Sequence, residues 1–160
     1  MRSRLLLILA AFVSVGLHAQ KLPEATLEDA SGKAVGVQSM VDGESPFVIT
    51  FWASWCKPCL RELAALEDAA PDWTGKHPLR IYAVSVDDSR SLAEAKALAT
   101  SNDWPVTVLF DTKQALKQAL KVSSIPHVFV YDKNGKLVWS HMGYIPGSEE
   151  ELLQKVLETE

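Results

Sequence analysis

Phe47-Val48-Ile49-Thr50-Phe51-Trp52-Ala53-Ser54-Trp55-Cys56-Lys57-Pro58-Cys59 is the stretch whose reading decides the fold. Val48 to Trp52 is an apolar, β-branched and aromatic run that reads as a buried strand. The residues from Leu60 to Ala70 read as a helix, with Leu60, Leu63 and Leu66 on its buried side and Pro71 as its stop. A Cys-x-x-Cys at a strand-to-helix junction sets the first sulfur beside the unpaired N–H groups of the helix start. Those groups and the positive end of the helix dipole favour a thiolate over a thiol. A thiolate with a second thiol three residues on can attack a disulfide, form a mixed disulfide and be released by its neighbour.

Cys56 and Cys59 are the only cysteines of the 160 residues. As a purely structural disulfide the pair closes a very short loop and removes little unfolded-state entropy. As half of a zinc site it lacks two further ligands, because no third cysteine exists and His18, His77, His127 and His141 form no ligand pair of the H-x3-H kind. Redox chemistry is the reading that remains strongest.

Outward from this motif, residues 1–19 read as a secretory signal peptide. Arg2 and Arg4 form a positive n-region, Leu5 to Val15 is apolar except for Ser14, and Ala19 offers a small residue at a cleavage position. Leu17 at the −3 position is large for such a cut. An uncleaved membrane anchor is the runner-up, but the run is short for a bilayer core of about 30 Å. No cysteine stands near the cut to carry a lipid. Cleavage removes two of 16 basic residues and leaves 14 against 20 acidic ones, a balance of −6. Such a chain, with no basic stripe, has no reason to bind nucleic acid. The full chain, at 48% hydrophobic and 22% charged, has an ordinary globular composition, and residues 20–160 are expected to fold as one domain. A periplasmic location follows from the signal, and there a lone cysteine pair is oxidised unless electrons are delivered to it.

Leu22 to Gln38 carries two short extended stretches around a turn at Asp29-Ala30-Ser31-Gly32-Lys33. Leu79 to Val86 is a second core strand ending in Asp87-Asp88. Ser91 to Thr100 is helical with Leu92, Ala95 and Leu98 on one face, Val106 to Phe110 is a strand, and Lys113 to Lys121 a short helix. His127 to Tyr131 and Lys136 to His141 flank Asp132-Lys133-Asn134-Gly135, an Asn-Gly hairpin signal. Ser148 to Leu157 closes the chain as a helix capped by Ser148, with Glu151 three residues on. The order β-α-β-α-β-α-β-β-α gives an α/β fold, one sheet covered by helices on both faces. Trp52 and Trp55 read as packing and as a shield around the cysteines, and Trp73, Trp104 and Trp139 as core or hairpin packing.

Phe51 to Cys59, the later Ile125-Pro126 and Gly143 after the last strand together resemble the thioredoxin fold. The segment Asp87 to Lys121 resembles the inserted α-β-α of the exported TlpA/ResA-like branch, and the N-terminal β-hairpin fits that branch too. The resemblance spans Leu22 to Leu157. It implies a central mixed β-sheet flanked by helices, with Cys56 as the exposed nucleophile and Cys59 as the buried resolving thiol. It also implies that Pro126 follows a cis peptide bond and faces the pair, leaving the backbone of Ile125 to pair with an extended substrate. The plainer alternative is a trans proline opening a strand. Trp55, Lys57, Pro58, Ile125 and Pro126 are the expected substrate-binding residues.

Three positions depart from the thioredoxin pattern. Thr50 stands where a buried aspartate serves as proton acceptor for the resolving thiol. Ala64 stands where a proline kinks the helix, and His127 replaces the Thr or Ser that follows the cis proline. Glu62, three residues after Cys59, occupies a position where the branch often has a glutamate. There it could raise the cysteine pKa values and relay a proton to or from Cys59. Its plain alternative is a solvated surface glutamate. Lys57 either favours the Cys56 thiolate or is an exposed turn residue. His127 either tunes the site or is a partly buried strand residue with a satisfied hydrogen bond.

The function expected is that of an exported thiol–disulfide oxidoreductase that reduces or exchanges disulfides in exported proteins. No cofactor or metal is required, since the electrons travel in the cysteines. A membrane thiol-electron transporter is the implied reductant source, and cytochrome c maturation is typical of the family. The alternative is a thioredoxin-fold copper chaperone using Cys56, Cys59 and His127, because soft thiolates suit Cu(I). A peroxidase would need a further cysteine in its own loop.

Overall fold

The computed structural model describes residues 20–74, 80–102 and 104–159, with the side chains of 70–74 outside the described part. The expected signal peptide at residues 1–19, the side chain of Trp73 and the strand residue Leu79 therefore lie outside the described residues. Strands β1 (Thr26–Glu28) and β2 (Ala34–Gly36) precede β3 (Phe47–Trp52), α1 (Lys57–Thr74) and β4 (Arg80–Ser85). Then follow α2 (Leu92–Ser101), β5 (Thr107–Phe110), α3 (Ala115–Ala119), β6 (His127–Tyr131), β7 (Leu137–Met142) and α4 (Ser148–Leu157).

The seven strands form one mixed sheet in the order β2-β1-β5-β4-β3-β6-β7. β3 runs parallel to β4, and β4 parallel to β5, whereas β6 and β7 are antiparallel. The N-terminal hairpin joins the same sheet through a single pairing of Glu28 with Phe110. This is the expected α/β thioredoxin-like architecture, with the inserted α2-β5-α3 extending the sheet on the β4 side.

β3 is buried along its whole length, because it lies mid-sheet with packed layers on both faces. Alternation sends Phe47, Ile49 and Phe51 into the larger cluster with Leu27, Val84 and Phe110. Val48 faces the other way, into a cluster with Leu66, Ile81, Val130, Leu152 and Val156 under α1 and α4. Thr50, two residues on, shares Val48's face. A polar residue is thus placed where α1 passes over the sheet. Leu63 and Leu66 are fully buried, as their spacing predicted, and Leu60 packs at the edge.

One helix end and one helix cap differ from expectation. α1 runs through Pro71 to Thr74. A proline removes one amide donor and so costs the helix one bond to the carbonyl four residues back, but its fixed φ is itself helical, and the helix runs on for three residues beyond it. α4 is capped not by Ser148 but by Gly147, at φ +96°, without a side-chain cap. Ser148 donates its amide to Ile145 at 3.0 Å and is already helical, while Glu149 accepts the amide of Gly147 at 3.0 Å. Glu149 thereby takes the half of the capping box expected of Glu151, while no side chain takes the half expected of Ser148. The Asn-Gly hairpin forms as its sequence implies, with Gly135 at φ +73°. Among the described residues no helix is long and apolar enough to cross a membrane.

Candidate active site

The end of β3 and the start of α1 bring Cys56 and Cys59 together as a disulfide with Cα atoms 5.3 Å apart. The turn between strand and helix is closed by the Cys56 amide donating to Ala53 at 3.0 Å. The Cys59 amide, one of the helix-start donors left without an intrahelical partner, points at Cys56 Sγ at 3.3 Å. That is the contact that favours negative charge on Cys56 once the disulfide is reduced.

The exposed-nucleophile expectation needs correction in degree. Cys56 is 6% exposed and Cys59 not at all. Trp55, at 64% exposure, stands out beside Cys56 while the pair is drawn into the turn. Access is from one side, through a groove of about 520 Å3 lined by Trp55, Cys56, Lys57, Pro58, Ile125 and Lys117 among others. Four of the five expected substrate-binding residues therefore border one space.

The Ile125–Pro126 bond is cis, as the resemblance implied. Pro126 is fixed from behind by its carbonyl accepting the Gly143 amide at 2.8 Å. Neither the N–H nor the C=O of Ile125 has a backbone partner among the described residues. The edge is open for an incoming strand.

Glu62 lies elsewhere. It is 5% exposed, so it is no solvated helix-surface residue. Thr50 Oγ1 donates to Glu62 Oε2 at 2.5 Å. Burial pushes the Glu62 carboxyl up to about 7, opposed by the Thr50 hydrogen bond and helped by the charge of Glu149. The position that holds a buried aspartate in thioredoxins is thus a hydroxyl that grips a carboxylate supplied by the facing helix.

His127 is 9% exposed and stacks on Phe129 with ring centroids 4.2 Å apart. Its Nδ1 is buried without a hydrogen-bond partner among the described residues, which corrects the expected satisfied bond. Burial first, and His141 second, hold its pKa below the ordinary value. Among the described residues no three His, Cys, Asp or Glu side chains gather as a metal-ligand group. Nothing in the geometry favours the copper reading. Trp52 is fully buried and meets Trp104 edge-on at 5.2 Å, so it packs as expected.

Asp87 was passed over in the sequence as the end of a strand. It is 1% exposed and accepts three hydrogen bonds: from the Ser54 amide at 2.9 Å, from Ser54 Oγ at 2.6 Å and from Ser85 Oγ at 2.8 Å. It ties the end of β4 to the turn that carries Cys56. The available signal was its place just beyond the carboxyl end of a core parallel strand, where open α/β sheets build their sites.

The sequence of residues 18–140 matches the AhpC/TSA family. A thiol-disulfide oxidoreductase ResA of Geobacillus thermodenitrificans is 28% identical over 151 residues, 86% of this chain and 83% of that protein. A thiol:disulfide interchange protein DsbE of Vibrio cholerae is 31% identical over 129 residues, 79% of this chain and 66% of that protein. The solution structure of a thioredoxin-like protein from Porphyromonas gingivalis superposes with a TM-score of 0.75 at 41% identity, covering 86% of this chain and 90% of that one. With the cysteine pair, the cis proline and the inserted α-β-α in place, the chain belongs to the AhpC/TSA family, in its ResA- and DsbE-like thioredoxin-fold branch.

Proposed function

We propose that this protein is an exported thiol–disulfide oxidoreductase that reduces or exchanges disulfides in extracytoplasmic proteins. The observation that carries the reading is the Cys56–Cys59 disulfide at the amino end of α1, open on a groove next to the unpaired backbone of Ile125. In the reduced protein the Cys56 thiolate attacks a substrate disulfide. A Cys56–substrate bond forms, the substrate bond breaks, and the displaced sulfur leaves as a thiolate that takes a proton from solvent. Cys59 gives its proton to the Glu62 carboxylate and attacks Cys56 Sγ. The intramolecular disulfide re-forms, and the second substrate sulfur is released.

In this scheme Ile125 pairs with the substrate backbone and Pro126 holds it in place. Trp55 and Pro58 supply apolar contact beside the attacked sulfur, and Lys57 adds positive charge near the Cys56 thiolate. Residues 1–19 serve as the export signal, which places the protein in the periplasm. Because that compartment oxidises thiols, turnover as a reductase requires electrons from a membrane thiol transporter. The ResA and DsbE names of the relatives support this assignment, and apocytochrome c is a fitting substrate class.

The test is catalysed reduction of a peptide disulfide by the mature protein with a dithiol as electron source. Turnover that disappears in Cys56→Ser is expected. Equal rates with and without the protein would refute the function.

A further inference from the structure

The groove at Cys56 is basic in a chain whose overall balance, at −4, is acidic. Lys57 enters its wall from the start of α1, and Lys117 from α3 of the inserted segment. Among the described residues no carboxylate lines that space, and neither lysine takes part in an ion pair. A second space of about 460 Å3 adjoins the first, sharing Trp55, Val86 and Lys117 with it. The one acid there, Asp88, is held by Arg90, whose Nε donates to it at 3.0 Å, so those two charges cancel locally.

Several contacts fix Lys117 in this wall. Its amide donates to the buried Asp111 carboxylate at 2.8 Å, which anchors the backbone of α3. Its ammonium donates to Gln114 Oε1 at 3.1 Å, and Gln114 Nε2 donates to the Val86 carbonyl at 3.3 Å. The Val86 amide in turn donates to the Trp52 carbonyl at 2.9 Å, at the end of β3 from which the cysteine turn departs. Gln114 makes this bridge at φ +53°, a left-handed conformation that residues with a side chain seldom adopt. Lys117 is half-buried, and only one of the three donors of its ammonium is used, so two remain for a ligand in the groove.

We propose that Lys117, together with Lys57, forms a specificity subsite that selects substrate disulfides with an acidic residue close to the attacked cysteine. The inference rests on the thiol–disulfide reading and names the class of substrate that this groove favours, an extended acidic peptide segment. A strand added at the open backbone of Ile125 turns alternate side chains to the same side. The residue two positions from the attacked cysteine therefore faces the groove with it, about 7 Å further along the chain. A glutamate there meets two ammonium groups with no competing carboxylate, and a lysine there meets two like charges. The Debye length at physiological salt is about 8 Å, so these local charges, and not the net negative charge of the chain, govern the contact.

The experiment measures kcat/KM for reduction of peptide disulfides by the mature protein with a dithiol as electron source. The peptides are identical except for glutamate, glutamine or lysine two residues before or after the reactive cysteine. Wild type is compared with Lys117→Met, which keeps the apolar stem, and with Lys117→Glu. Lys57 is left in place, because its charge acts on the Cys56 thiolate as well. Wild type is expected to prefer the glutamate peptide over the lysine peptide by about fivefold or more at low salt, the upper range for one ion pair of this kind. The preference should narrow in 1 M salt, where the Debye length falls to about 3 Å. It should shrink in Lys117→Met and reverse in Lys117→Glu. Each readout is a ratio between peptides within one protein, which a general loss of folding or reactivity does not move, and the salt series needs no variant. Equal rates for the three peptides in wild type would overturn the subsite, as would a wild-type order of preference in Lys117→Glu. Reduction of none of the peptides would instead overturn the oxidoreductase reading, and the subsite with it.

Discussion

Replacing Glu62 by Gln should make the protein's stability less dependent on pH, and by an amount that follows from the burial of this one side chain. The carboxyl is displaced from 4.5 to about 7, chiefly by desolvation. At about 1.4 kcal/mol per unit this is about 3 kcal/mol of preference for the neutral acid in the folded state. The sign follows from proton counting. Between 4.5 and 7 the folded chain holds a proton that the unfolded chain has released, so stability is greatest below 4.5 and is lost as pH rises to about 7. Roughly 2.5 kcal/mol of that loss falls between pH 5 and 8. Glutamine is isosteric, never ionises and still accepts the Thr50 hydroxyl, so Glu62→Gln lacks this loss. Urea unfolding of the oxidised protein at both pH values, wild type against variant, isolates the contribution of the one group because other titrations cancel. The difference between the two proteins should shift by about 2–3 kcal/mol in favour of the variant on going from pH 5 to 8. Stability curves that stay parallel within about 0.5 kcal/mol would refute a buried, proton-holding Glu62.

Other perturbations have equally definite outcomes. Asp87→Ala strands the buried Ser54 amide and should cost about 1–3 kcal/mol in denaturant unfolding, whereas Asp87→Asn keeps an acceptor for that amide and should cost less; equal losses would show that the carboxylate's charge, not its acceptor, matters. Cys59→Ser should accumulate a stable mixed disulfide between Cys56 and substrate, visible on non-reducing gels, and its absence would reassign the attacking sulfur. His127 has its pKa lowered by burial, so the folded state resists protonation, and stability is present above the ordinary histidine value and lost as pH falls below it. His127→Phe should therefore lose less stability than wild type between about pH 7.5 and 5, measured by thermal unfolding; the opposite order would contradict a histidine held neutral.

The strand, the cysteine turn and the helix that follows were legible because their signals are local: an apolar run, a Cys-x-x-Cys and a repeat of leucines at helical spacing. The cis Ile125–Pro126 was legible only through resemblance, since no local rule distinguishes it from a trans proline. What stayed hidden was made of contacts between distant residues. Asp87 meets Ser54 across 33 positions, and Thr50 meets Glu62 across 12. Read singly, Thr50 was a missing acid and Glu62 an ambiguous surface residue. Only the crossing of α1 over β3 makes them one pair. The end of α1 was misplaced because a proline such as Pro71 is a frequent terminator yet has a helical φ of its own, and the cap of α4 was given to Ser148, its first helical residue, rather than to Gly147 in the left-handed region.

The reduction potential of the Cys56–Cys59 pair, obtained by equilibrating the mature protein in graded thiol buffers and counting free thiols, is the most direct test of a reducing thiol–disulfide exchange centre. A reversible two-electron titration with a midpoint near or below about −250 mV is expected. A midpoint near about −120 mV would reverse the direction of electron flow, and a pair that never titrates reversibly would contradict the exchange chemistry itself.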